Sequence, residues 1–322
     1  MSDILTEGKA GVAVLAIGGN SLIRDKQHQR VSDQFQVTRE TCQHIASMVE
    51  GGWRVVVTHG NGPQVGFVLR RSELAISELH PVPMDSAVAD TQGSIGYMIQ
   101  QSLDNEFRKR GLGQHALTIT TQVLVDSGDV AFEKPSKPIG SFMDKEEADK
   151  MAKEEGWEVV EDAGRGWRRV VPSPKPVEII ERSGIRRLLS GNYTVVAVGG
   201  GGIPVVRNEA GILTGIEAVI DKDLASSLLA RRIQADLLMI STAVEKVALN
   251  FGTPDEKAID EMTLSEAKKY LAEGHFKPGS MGPKMAAVIE FLEKGGKQAM
   301  ITTPERIEAT LAGQAGTRIV LD

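Results

Sequence analysis

A single cysteine, Cys42, in 322 residues leaves no internal disulfide possible and no thiolate set for a structural zinc site. Long apolar runs are missing too; none approaches the roughly 20 residues needed to cross a bilayer. The opening segment, Met1 to Gly11, has neither the basic nor the apolar stretch of a secretory leader. A soluble, cytoplasmic protein is expected. A basic excess is also absent: 37 Lys and Arg stand against 43 Asp and Glu, a formal net charge of -6. That balance argues against non-specific nucleic-acid binding and offers nothing to an anionic membrane surface. Any anion site must therefore be a local arrangement of lysines and backbone N–H groups.

The familiar nucleotide and hydrolase signatures are lacking as well. No Gly-x-x-x-x-Gly-Lys-Ser/Thr occurs, the run from Gly60 to Gly66 has one residue too many for a dinucleotide fingerprint, and protein-kinase motifs are absent. No Gly-x-Ser-x-Gly elbow supports a catalytic triad, and the six histidines share no metal-ligand spacing. His59, ahead of Gly60, reads as a strand-end histidine bonded to backbone.

What is present is a repeated unit: a short apolar run, a glycine cluster, then a helical pattern. VAVLAI (12–17) leads into Gly18-Gly19-Asn20, RVVVTH (54–59) into Gly60-Asn61-Gly62, and TVVAV (194–198) into Gly199 to Gly202. Between the first two lies a helical stripe, Cys42, Ile45, Met48 and Val49, closed by Gly51-Gly52. DLLMIS (236–241), QAMIT (298–302) and TRIVL (317–321) are further strand candidates. Continuous rather than alternating apolar runs suit strands covered on both faces, so an α/β fold with a mainly parallel sheet is expected. Residues 126–176 break the rhythm, with a hairpin expected over 157–171 turning at Gly164-Arg165-Gly166. They are expected to form an inserted lid subdomain within a single domain spanning 1–322.

Glycine turns after parallel strands aim backbone N–H groups into one concavity at the carboxyl edge of the sheet. Alone, each could be no more than a tight turn. Three lysines change the balance. Lys222 sits between Asp221 and Asp223 at an expected helix start, with Asp221 as a plausible N-cap. Lys284 lies just ahead of another helical pattern, and Lys137 at the edge of the insert. Singly each is an ordinary surface charge. Together with anion-binding turns they point to phosphoryl transfer, which needs positioning and charge neutralisation by lysines, N–H groups and Mg²⁺ more than a strong base.

The strings AIGGN (16–20), THGNGPQVG (58–66), DTQGSIGY (90–97), KPIG (137–140), EDAGRGWRRVVPSPKP (161–176), GGGGIPV (199–205), AVIDKD (218–223) and HFKPGSMGPK (275–284) closely resemble the carbamate kinases of the amino-acid kinase superfamily. The resemblance runs from about residue 12 to the C-terminus. It implies a three-layer α/β/α sandwich, a homodimer with a small lid, and the reaction MgATP + carbamate = MgADP + carbamoyl phosphate. Catabolism of arginine, agmatine or purine ureides would drive it towards ATP. Carried over residue by residue, Lys137, Lys222 and Lys284 match the active-site lysines and Asp223 the aspartate that orients them. Gly18, Gly19, Asn20, Gly60, Asn61 and Gly62 match the turns around the phosphoryl group and carbamate. The nucleotude-binding half is implied near Lys222, Val244, Met281 and Lys284, with no protein-held metal. Glu245-Lys246, Phe251 and Ser21 depart from the common pattern.

Overall fold

In the computed structural model, residues 11–25, 27–162 and 166–322 are described, with the backbone alone at Asn20 and Ser141. The expected turn at Gly164-Arg165 lies outside them.

The strand Val12–Ile17 is apolar at every position, and every residue in it is buried. Such a strand has to be covered on both faces, and its alternation divides it between two cores. Val12, Val14 and Ala16 join one cluster with Leu228, Leu229, Met285, Val288 and Phe291. Ala13, Leu15 and Ile17 join another with Ile45, Met48, Ile99, Leu103 and Phe107. The second cluster comes from helices Val31–Glu50 and Met84–Arg110, the first from helices Lys222–Arg232 and Met281–Glu293. The result is a three-layer α/β/α sandwich. Cys42 is buried in the second core.

The central sheet has eight strands, in the order 261–263, 317–320, 298–302, 237–241, 12–17, 54–59, 194–196 and 116–118. All neighbours are parallel except Gln298–Thr302 with Thr317–Val320. Val12–Ile17 is central, and at its carboxyl end Ile17 is level with both His59 and Ser241. The strands therefore deliver Gly18, Gly60 and Thr242 to one edge.

A second sheet of four strands was not foreseen: Leu213–Gly215, Ile203–Arg207, Gln122–Val125 and Pro176–Ile179. Its strands are short, and their composition gives little period to read. Val125 pairs with Pro176, so the chain leaves and re-enters the body at one point. Between these residues stands a three-stranded sheet with strand order 137–143, 167–171 and 158–161. It carries the helix Lys145–Glu155, capped by Asp144, which accepts from the Glu147 N–H at 2.8 Å, and closed by Gly156 at φ +67°. The element is held to the body by a third apolar cluster, in which Ile139 and Val171 meet Val65, Leu69 and Val219. Gly66 faces Gly140 of this element, with a Cβ position 3.6 Å from the Gly140 Cα, an ordinary contact distance.

Candidate active site

Asp221 stops the run Ala218-Val219-Ile220 and starts a helix. Its Oδ1 accepts from the N–H groups of Asp223 at 2.9 Å and Leu224 at 3.3 Å, satisfying donors the first turn leaves open. Lys222 is the first helical residue and Asp223 the second. Ser226 fastens this turn, donating to the Lys222 carbonyl at 2.7 Å and meeting the Thr58 hydroxyl at 2.6 Å. The helix is thereby anchored to the strand Arg54–His59.

Asp223 is 3% exposed and lies between two lysines. Lys284 Nζ donates to its Oδ2 at 3.1 Å, and Lys222 Nζ stands 3.1 Å from its Oδ1. Burial pushes the Asp223 carboxyl up, but the Lys222 and Lys284 ammonium groups outweigh it and hold the group below the usual carboxylate range. Lys222 Nζ also donates to the Ile17 carbonyl at 3.2 Å. A carbonyl and one carboxylate thus fix two ammonium groups at the end of the central strand. The contact with Oδ1 is an ion pair without hydrogen-bond alignment, so Lys222 retains donor capacity for a ligand.

Lys284 was expected just ahead of its helix. It lies inside, as the fourth residue of Met281–Glu293, because Gly282 and Pro283 are accommodated in the first turn. No side chain caps this helix and no acidic residue sits in its first turn; the same holds for Gly62–Leu74, which begins at the second glycine turn. At Gly62–Leu74 such an end presents N–H groups and partial positive charge to an anion, whereas at Met281–Glu293 the Gly282 N–H is taken by the Lys277 carbonyl at 3.0 Å and Pro283 has none, so that end offers mainly its dipole.

The glycine clusters divide in role. Gly18 passes close to a neighbouring strand: a Cβ would lie 3.1 Å from the Ser241 carbonyl. Gly19 and Asn20 continue into a single 3₁₀ turn, with nothing within 4 Å of a Cβ at Gly19. The Asn20 side chain lies outside the described residues. The Gly60 N–H is committed to the Ile17 carbonyl at 3.1 Å, so in this arrangement it is not a donor for ligand. The Asn61 side chain donates to Thr91 at 2.8 Å, and Gly62 is open. The third cluster, Gly199 to Gly202, is fully buried, and a Cβ at Gly200 would lie 2.3 Å from the Asn61 amide. It is a packing turn that props the second cluster, not a ligand cradle. Gln92 braces it, donating to the carbonyls of Gly199 at 2.9 Å and Thr121 at 3.0 Å. Thr91 and Gln92 are therefore supports that motif reading left without a role.

His59 behaves as expected of a strand-end histidine. It is 1% exposed and donates from Nδ1 to the Gly60 carbonyl at 3.0 Å. Burial, with a smaller contribution from the Lys222 charge, lowers its pKa to about 4 against the opposing Gly60 bond, so it stays neutral near pH 7.

Lys137 opens the strand Lys137–Met143, and its Nζ donates to Asp221 Oδ2 at 3.0 Å. All three sequence-selected lysines thus converge on the first turn of one helix. Val244, half-buried, lies in the loop after the strand Leu237–Ser241, and half-buried Met281 opens the Lys284 helix. The departures nearby are engaged: Lys246 pairs with Asp260, Glu245 with Arg306, and Lys277 lies 5.6 Å from the centre of the half-exposed Phe251 ring.

A mainly parallel sandwich with lysines gathered at its carboxyl edge defines a phosphoryl-transfer class, and the chain belongs to the amino acid kinase family, which it matches over residues 11–303. Within that family its relatives are narrower. A carbamate kinase of Thermococcus kodakarensis is 49% identical over 310 residues, covering 95% of this chain and 98% of that protein. The Escherichia coli carbamate kinase-like protein YahI is 47% identical, covering 96% and 98%. Among solved structures, the Giardia lamblia carbamate kinase bound to AMP-PNP superimposes with a TM-score of 0.91 at 42% identity, covering 97% of this chain and 99% of that one.

Proposed function

We propose that this chain is a carbamate kinase, transferring the terminal phosphoryl group of MgATP to carbamate to give MgADP and carbamoyl phosphate, and the reverse. The observation that carries the reading is the pair Lys222 and Lys284 on one buried Asp223, at the mouth of the Gly18–Asn20 turn. A carbamate oxygen, already anionic, attacks the terminal phosphorus in line as the bond to the ADP oxygen breaks. No general base is required. Lys222 and Lys284 offset the charge spreading over the phosphoryl oxygens, and the uncapped N-terminus of Gly62–Leu74 adds N–H donors. Asp223 keeps both ammonium groups in place.

Among the described residues no group of three or more His, Cys, Asp or Glu is arranged to hold a metal ion. Magnesium enters with the nucleotide, as part of the substrate. The element over 126–176 is the lid of a single domain, and Lys137 brings its charge to the carbamate end. The reading includes assembly as a homodimer. Among the described residues no helix is long and apolar enough to cross a membrane.

The alternatives are another amino-acid kinase acting on a carboxylate and a catalytically idle sensor of nucleotide or carbamoyl phosphate. Retention of all three lysines with their carboxylate partners supports the enzyme. The test is ATP formation from MgADP and fresh carbamoyl phosphate, against an enzyme-free blank, with acetyl phosphate as an alternative donor. Rapid ATP formation from carbamoyl phosphate is expected. A folded protein that forms none, or prefers the other donor, would overturn the assignment.

A further inference from the structure

The transfer described above leaves Asp221 with no part beyond its cap, yet its carboxylate has two occupations. Oδ1 holds the N–H groups that start the Lys222 helix, and Oδ2 holds Lys137 Nζ at 3.0 Å, from a residue 84 positions away. Asp221 and Asp223 divide the lysines between them. Asp223 takes Lys222 and Lys284 in the buried floor, and Asp221 takes Lys137 at the rim, where the lysine side chain is 37% exposed and the carboxylate 18%.

The approach to Asp221 runs against the base of the lid. The Val219 N–H donates to the Pro172 carbonyl at 2.9 Å, and Val219 packs in the cluster containing Ile139 and Val171. Two residues earlier, Glu217 accepts from Arg169 of the lid at 2.6 Å, but it is 57% exposed, and an ion pair so open to water is weak. The Asp221 contact is the drier of the two and the one joined to the catalytic helix.

We propose that Asp221 is a positioning residue: its carboxylate docks Lys137 and so ties placement of the lid to the helix that presents Lys222. The proposal rests on the carbamate kinase reading for its kinetic consequence, though not for the docking itself. Lysine is a long side chain with many rotamers, and without a fixed partner its ammonium group is spread over positions unproductive for transfer. Asp221 acts through Lys137, so the two residues form one functional unit whose losses do not multiply.

Asp221→Asn separates the two occupations, since a neutral amide keeps an oxygen for the cap but loses the charge that holds Lys137. With carbamoyl phosphate and MgADP, kcat is expected to fall roughly ten- to a hundredfold, with KM for ADP unchanged within about twofold. In a Lys137→Met background the same substitution is expected to cost less than about twofold more. Asp221→Ser, a good cap too short to reach Lys137, is expected to match Asp221→Asn and guards against a folding failure of either variant. Hydrogen exchange over residues 137–171 is read on the same proteins and is expected to quicken alike in Asp221→Asn and Lys137→Met. Full multiplication of the two losses, or unchanged exchange in Asp221→Asn, would overturn the proposal. A wild type that makes no ATP would defeat the functional reading alone, because the exchange comparison still decides the docking.

Discussion

Replacing Lys222 by alanine removes the ammonium group nearest the end of the central strand and is expected to cut turnover by two to three decades. The structure sets the size. The Lys222 side chain is 14% exposed, and its Nζ is directed by Ile17 and Asp223 instead of wandering in solvent. A pre-placed charge in a water-poor site is worth about 3 kcal/mol to a phosphoryl transition state, a factor of ~10²–10³ in rate. Folding should survive, because Asp223 keeps Lys284 and is not left as an isolated buried charge. The lost pair is expected to cost about 1–3 kcal/mol of stability, a drop of several degrees in Tm. The assay is initial-rate ATP formation from carbamoyl phosphate and MgADP, with circular dichroism and Tm measured on the same preparation. Turnover within threefold of wild type in a correctly folded Lys222→Ala protein would refute the role given to this lysine.

Three further outcomes are expected. The folded-state pKa of Asp223 lies below its unfolded value, so its stabilisation is present above the ordinary carboxylate value near 4 and is lost as pH falls through the folded value. Urea midpoints of wild type and Asp223→Asn should therefore converge below about pH 4, and a constant gap from pH 7 to 3 would contradict the pairing. His59 has the same sign in a higher window: between about 6.5 and 4 the unfolded chain takes up a proton that the folded one refuses, so stability falls with pH by roughly 3 kcal/mol in total. His59→Gln should lose that slope, and an unchanged profile would show that another group sets it. Gly201→Ala should lower stability by several kcal/mol, since Gly201 has φ +94° and its Cβ would lie 2.3 Å from the Ile220 carbonyl. A Tm within about 2 °C of wild type would mean that the buried turn yields more readily than its packing indicates.

Local pattern was enough for the strands that carry the site. VAVLAI, RVVVTH, LLMIS and QAMIT appear as strands within a residue of their expected limits, because a strand covered on both faces carries a continuous apolar run at its centre. Asp221-Lys222-Asp223 announced its helix for an equally local reason, an N-cap followed by apolar residues at helical spacing. The four-stranded second sheet was illegible, since strands such as Leu213–Gly215 are too short for a period to register. The glycine clusters show where local reasoning fails. Gly18 and Gly200 sit in similar strings, yet one lies at the rim of the site and the other is buried against Asn61.

Residue type and spacing alone determined an α/β fold and three lysines of interest, because hydrophobic period, capping and turn chemistry act over a few neighbours. Which lysine meets which carboxylate was decided only by the tertiary structure. Lys284 is 61 residues from Asp223, and Lys137 is 84 from Asp221. Coulomb attraction depends on distance in space, and that distance exists only once the sheet has ordered its strands and the 126–176 element has folded back to where it left the body.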